Sequence, residues 1–122
     1  MSEKRILVID DEQAILEMLK DMFSFLKIEA DLIGTSKEAV EKVRANPGLY
    51  LPVLLDINLP DADGSETFDQ LIKIAPHLQI YVFSGFGESE MTDELLKKGA
   101  VGVIPKPFKF DDLKVLIDQI KS

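Results

Sequence analysis

The sequence contains no cysteine, which excludes disulfides and thiol chemistry and fits a reducing compartment without proving one. Long apolar runs are missing as well. The stretch after Met1-Ser2-Glu3-Lys4-Arg5 is Ile6-Leu7-Val8-Ile9, too short for the hydrophobic region of a signal peptide or for a membrane span. The expectation is a soluble, cytoplasmic protein that has no membrane partner. Basic charge is scarce: fourteen Lys and Arg stand against twenty-two Asp and Glu, a net charge of -8. Such a surplus repels a phosphate backbone, and no local basic patch offsets it, so direct nucleic-acid binding is not expected. No linker, internal repeat or low-complexity segment interrupts the 122 residues, of which 46% are hydrophobic. That length is usual for one domain with a substantial core, and residues 1–122 are read as one domain.

The most informative stretch is Val53-Leu54-Leu55-Asp56-Ile57-Asn58-Leu59-Pro60. An unbroken apolar run that enters an aspartate, with an asparagine two positions on and a proline after it, predicts a fully buried strand ending at a polar loop. Ile6-Leu7-Val8-Ile9 repeats the pattern, stopping at Asp10-Asp11 and Glu12. Beyond Glu12 the period changes. Ile15, Leu19, Met22 and Leu26 recur at helical spacing, with Met18 and Phe23 widening the stripe, so a helix with its Met and Phe residues in the core is expected.

Ile28, Ala30 and Leu32 alternate with Glu29 and Asp31, the pattern of an edge strand. Thr35 and Glu38 form a capping box before a short helix carrying Ala39, Val40 and Val43, which ends at Asn46-Pro47-Gly48. Pro52 is read at the first residue of the next strand, where a missing donor is tolerated. Asp61-Ala62-Asp63-Gly64 reads as a turn, and Phe68, Leu71, Ile72 and Ala75 mark a third helix. Ile80 to Phe83 is another buried strand, running into Ser84-Gly85. Met91, Leu95 and Leu96 belong to a fourth helix that stops at Gly99, with Lys97 and Lys98 as its solvated end. Val101 to Ile104 is a fifth strand leading into Pro105-Lys106-Pro107-Phe108. A last helix opens at Asp111-Asp112 and buries Leu113, Leu116, Ile117 and Ile120.

Five strands alternating with five helices, three of the strands apolar throughout, predict an α/β fold. The sheet is expected to be doubly wound, parallel and covered on both faces. With the wetted second strand at an edge and the first and third central, the flavodoxin-like order 2-1-3-4-5 follows. Parallel strands place their carboxyl ends on one rim, which brings together Asp10, Asp11, Asp56, Ser84 and Lys106. Crowded carboxylates raise the pKa of one of their number or bind a divalent cation. Oxygen-only ligands favour a hard ion such as Mg²⁺. Carboxylate nucleophiles form acyl phosphates, and phosphoryl transfer needs mainly charge neutralisation and alignment, which a metal, a lysine and a hydroxyl supply.

Asp10-Asp11, Leu55-Asp56-Ile57-Asn58-Leu59-Pro60 with Asp63-Gly64, Ser84-Gly85, Gly99-Ala100 and Lys106-Pro107-Phe108, in this order and at these strand ends, give the chain its resemblance to the receiver domain of two-component response regulators, including the stand-alone chemotaxis type. The resemblance implies that Asp56 accepts a phosphoryl group from a histidine kinase or histidine phosphotransfer protein. It further implies that Asp10, Asp11, Asp56 and the backbone carbonyl of Asn58 hold Mg²⁺, that Ser84 and Lys106 contact the phosphoryl group, and that the Lys106-Pro107 bond is cis. Output would pass through the fourth helix, fifth strand and fifth helix to a protein target or to an output domain absent from this chain, with phosphorylation-linked homodimerisation as one form of that output.

Two positions depart from the pattern or qualify it. Val103 stands where such receivers usually carry an aromatic switch residue, and Phe86 is the candidate to act in its place. Pro52 carries no function. Two further readings compete with a phosphoacceptor switch that catalyses its own phosphorylation and dephosphorylation. An aspartyl-phosphate phosphatase wants a second aspartate two positions after the nucleophile, where this chain has Asn58. A degenerate receiver used only for docking or dimerisation conflicts with an intact acidic, hydroxyl and lysine set. The single histidine, His77, reads as an exposed loop residue.

Overall fold

The computed structural model describes residues 4–85 and 87–121. The elements run β1 (Arg5–Ile9), α1 (Gln13–Phe25), β2 (Ala30–Ile33), α2 (Ser36–Ala45), β3 (Tyr50–Asp56), α3 (Gly64–Ile74), β4 (Ile80–Ser84), α4 (Ser89–Lys98), β5 (Gly102–Pro105) and α5 (Phe110–Lys121). Every strand pair is parallel, and the order is β2-β1-β3-β4-β5. Parallel neighbours need a long crossover, and α1 to α4 each lie in one, while α5 follows the last strand. Among the described residues no helix is long and apolar enough to cross a membrane.

The alternation of side chains along β1 explains why the apolar runs are unbroken. Leu7 and Ile9 pack with Val53 and Leu55 and with Val43 and Phe68 from α2 and α3. Ile6 and Val8 point the other way, to Leu54 and Phe83 and to Leu19, Phe23 and Leu116 from α1 and α5. Each central strand therefore feeds two cores, and a polar residue on either face would be buried without partners. β2, paired on one side only, buries Ile33 but leaves Ala30, Asp31 and Leu32 half-buried. At the amino ends of the strands, Asp31 accepts from the Arg5 guanidinium (2.8 Å) and from the Tyr50 hydroxyl (2.5 Å). This fastens β1, β2 and β3 together at the end of the sheet remote from Asp56.

Three sequence expectations are corrected. On α1 the buried residues are Leu16, Leu19 and Phe23, with Met22 half-buried, whereas Met18 is 53% and Phe25 85% exposed. Met18 and Phe25 are seven residues apart and share a face outside the narrow arc that the sheet covers. Pro52 is the third residue of β3, not the first. It falls where the β1–β3 register shifts between Arg5 and Leu7, so the ladder is already interrupted where its donor is missing. Lys98 is more than a solvated helix end: its ammonium lies 3.0 Å from Asp69 and donates to Ser65 Oγ (2.6 Å), which ties α4 to α3. The Lys106-Pro107 bond is cis as expected, and Leu51-Pro52 is cis as well.

Candidate functional site

Adjacent strands finish level with one another, Ile9 beside Leu55, Asp56 beside Phe83 and Ser84 beside Pro105. Asp10 follows β1 directly, Asp56 closes β3, Ser84 closes β4 and Lys106 follows β5. The Lys106 ammonium lies 2.8 Å from Asp10 Oδ2, 3.1 Å from Glu12 Oε1 and 3.3 Å from Asp56 Oδ2. Asp10 and Asp56 are buried. Asp11 is exposed, yet one oxygen each from Asp10, Asp11 and Asp56 lie within 4.8 Å of one another. Four of the residues singled out from the sequence thus share one pocket. Asn58 borders it, its backbone N–H donating to Asp56 Oδ1 (3.2 Å) and its side-chain amide to Glu88. Ser84 ends the neighbouring strand, and its hydroxyl accepts from Thr92 Oγ1.

Local chemistry holds these groups in place. After β3 the chain folds back on itself: the Gly64 N–H donates to the Ile57 carbonyl (2.9 Å), and Asn58 bridges to Asp63. A side chain at position 64 would put its Cβ 2.8 Å from Ile57 Cα, so only glycine allows this approach. Asp63 and Asp61, expected to act as turn formers, each serve a helix terminus. Asp63 caps α3 by accepting from the Glu66 N–H (2.8 Å). Asp61 reaches across to α2 and accepts from the N–H groups of Ser36 (2.8 Å) and Lys37 (2.9 Å), bonds that hold its carboxyl below the usual carboxylate range. At the start of α1, Asp10 Oδ1 accepts from the Glu12 N–H (2.8 Å). The Lys106 ammonium also stands 4.7 Å from the centre of the Phe83 ring, which packs on Phe108.

The electrostatics follow from burial and crowding. Asp56 is pushed up to about 6, first by burial and then by the Asp10 charge, with Lys106 and the Asn58 N–H pulling the other way. Burial would lower the Lys106 ammonium, but Asp10, Asp56 and Glu12 hold it above its ordinary value. One cation facing this many carboxylates leaves the pocket with surplus negative charge. Asp10 Oδ2 shows where that surplus is unspent: it is buried and ion-paired with Lys106, yet it accepts no well-directed hydrogen bond among the described residues. Buried carboxylate oxygens with free lone pairs, and no nitrogen or sulfur ligand beside them, suit a hard divalent cation. The Asp10, Asp11 and Asp56 cluster can hold a metal ion.

The same fold recurs among known proteins. The model of the response regulator receiver domain matches residues 6–118. The chain belongs to the response regulator receiver family. This receiver is 35% identical over 108 residues to the chemotaxis protein CheY of Thermotoga maritima, spanning 87% of this chain and 88% of that one. It is also 35% identical over 107 residues to the transcriptional regulatory protein YesN of Bacillus subtilis, spanning 84% of this chain but only 28% of that longer protein. A solved receiver domain protein from Clostridium thermocellum superposes with a TM-score of 0.88 at 27% identity, over 96% of this chain and 93% of that one. Receiver domains are signalling switches of two-component phosphorelays, and the family works with histidine kinases or phosphotransfer proteins.

Several participants in this receiver's site carried no sequence signal. Glu12 shares Lys106 with the two buried aspartates, while Glu88 and Thr92 reach the site from the β4–α4 segment. A glutamate and a threonine on an amphipathic helix and the turn before it look like any solvated pair until the helix is placed. Val103 lies on β5 with its side chain 39% exposed, turned away from the buried cluster. Phe86, the candidate to replace the missing aromatic, lies outside the described residues.

Proposed function

We propose that residues 1–122 act as one receiver domain whose Asp56 is the phosphoacceptor of a two-component relay. The observation that carries this reading is the placement of Asp56: buried at the end of β3, 3.3 Å from the Lys106 ammonium and within 4.8 Å of Asp10 and Asp11. In this reading an Asp56 carboxylate oxygen attacks the phosphorus of a phosphohistidine on a kinase or phosphotransfer protein. The P–N bond breaks, the imidazole leaves, and an acyl phosphate forms on Asp56. Asp10, Asp11, Asp56 and the Asn58 carbonyl would hold Mg²⁺, which supplies neutralising charge and a fixed position for phosphoryl oxygens. Lys106 pairs with another oxygen, and Ser84 turns its hydroxyl toward a third. Because these groups belong to the receiver itself, it promotes its own phosphorylation from a small phosphodonor and the later hydrolysis.

Output follows from Ser84. Its hydroxyl is bonded to Thr92 on α4, so a turn toward phosphate disturbs that helix and shifts the population presented on the α4, β5 and α5 side. Leu96, Val101, Val103 and Val115 supply exposed apolar contacts there for a protein target, a second copy or a further domain. An intracellular setting suits this chemistry. Asn58, which cannot donate and recover a proton as a carboxyl group does, disfavours the phosphatase reading. The complete acidic and lysine cluster disfavours a docking-only receiver.

The deciding experiment is incubation with acetyl phosphate and Mg²⁺, followed by intact-mass and peptide analysis of the native chain and of Asp56→Asn. A phosphoryl adduct on Asp56, dependent on Mg²⁺ and missing from the variant, is expected. No adduct in the native chain returns the protein to the docking-only class, and steady turnover of a soluble phosphomonoester returns it to the phosphatases.

A further inference from the structure

Glu88 occupies the cap position of α4, yet its carboxylate makes no capping bond to that helix. It turns back over the rim instead. One oxygen, Oε1, accepts from the backbone N–H of Gly85, and the other, Oε2, accepts from the side-chain amide of Asn58. Gly85 follows Ser84 on one wall of the pocket, and Asn58 lies two residues beyond Asp56 on the other. A single half-buried carboxylate therefore spans both loops that flank Asp56. A Cβ built on Gly85 would meet Glu88 Oε1 at 3.4 Å and the Lys106 Cβ at 3.9 Å, which puts this carboxylate on the Lys106 side of the loop. Among the described residues Glu88 has no cation partner, so neutral donors alone hold a negative charge at the mouth of a pocket already rich in it. Two N–H donors converging on an anion from opposite sides form a small anion site, and the chain's own carboxylate fills it.

We propose that Glu88 is an internal competitor for the phosphoryl group, holding the Gly85 N–H and the Asn58 amide until an anion on Asp56 displaces it. This rests on Asp56 being the phosphoacceptor. A phosphoryl group brings close to two negative charges, so the Glu88 carboxylate and the new anion repel each other while sharing donors. Glu88 then leaves the rim. Because it is the residue from which α4 starts, its departure frees the β4–α4 turn in the same event that draws Ser84 inward. Glu88 thus acts as a positioning residue that slows phosphorylation and couples it to α4.

The test uses the full chain with Mg²⁺ and beryllofluoride, a phosphoryl mimic, titrated into the native protein, Glu88→Gln and Glu88→Ala, with amide spectra recorded throughout. Before any mimic is added, the Gly85 amide proton is expected to move upfield in Glu88→Ala, since it loses a charged acceptor. The mimic is expected to bind about tenfold more tightly to Glu88→Ala than to the native chain, the scale of one charge-assisted hydrogen bond no longer competed for. Glu88→Gln should fall between them, because its neutral carbonyl still accepts from Gly85. Equal or weaker binding in both variants, with the native chain still taking the mimic at Asp56, overturns the role of Glu88 and leaves the phosphoacceptor reading intact. If the native chain takes up no mimic at Asp56, both fall.

Discussion

Thr92 Oγ1 donates to Ser84 Oγ across 2.8 Å, so the last residue of β4 is bonded to the first turn of α4 by a pair of hydroxyls. Thr92 is buried, and Val103 on the neighbouring strand has no ring to transmit a movement of Ser84. The bond from Thr92 is instead a direct side-chain link from Ser84 to α4.

Thr92→Val removes the donor and keeps the shape. The expected loss is about 1 kcal/mol of stability, the worth of one internal hydrogen bond. The informative readout is the amide spectrum of residues 89–98 with and without beryllofluoride. Their response should shrink in the variant while the response around Asp56 persists. An undiminished response in α4 means that Ser84 reaches the helix by another route.

Asp56 provides a pH prediction whose sign is fixed by its raised value, about 6 against an ordinary 3.8. The folded chain binds this proton more tightly than the unfolded chain does. The stability it contributes is complete below the unfolded value and is lost as pH rises through the folded value, between about 4 and about 6. In chelator near neutral pH, Asp56→Asn should therefore be more stable than the native chain by up to roughly 3 kcal/mol, from about two units at 1.36 kcal/mol each. Near pH 4 the advantage should vanish. Mg²⁺ should narrow the gap at neutral pH, because a ligand that binds only the folded state stabilises it. Urea denaturation of both proteins under the three conditions reads the pattern, and a native chain as stable as the variant in chelator at neutral pH would contradict it.

Gly64→Ala tests the fold-back after β3. A methyl group 2.8 Å from Ile57 Cα has to push backbone aside, and overpacking of this kind costs about 1–3 kcal/mol. The amide signals of Ile57 and Asn58 should shift as well, since the displaced atoms are their own. Unchanged stability and unchanged signals would show that the loop gives way freely.

Asp61→Ala tests a cap supplied from a distant loop. Losing acceptors for Ser36 and Lys37 should cost about 1 kcal/mol, within the range of N-cap removal. Amide exchange at those two positions should accelerate more than exchange at the other end of α2. Equal protection in both proteins would assign the capping to Thr35 alone.

Much of this was legible in the sequence because strands buried on both faces admit no polar residue until they end. Ile6 to Ile9 and Val53 to Leu55 stop at carboxylates for that reason, and parallel topology then brings Asp10, Asp56 and Lys106 to one rim whatever their separation along the chain. Side chains that act across a turn left no such mark. Asp61 and Asp63 look alike beside Gly64, and only the position of α2 gives Asp61 a helix to cap. Met18 widens the apolar stripe of α1 in the sequence and Phe25 is one of the helix's aromatic residues, but both lie outside the arc that packs on the sheet. Glu88 and Thr92 acquire meaning only from the path of the chain between β4 and α4.

Gly64 pressed against Ile57 and the Asn58–Asp63 bridge fix one bank of the pocket through backbone. The opposite bank is moored by the side chains of Glu88 and Thr92. Substitutions at 88 or 92 therefore remove side-chain moorings and leave the chain path of the first bank alone, whereas a side chain at 64 displaces the backbone itself.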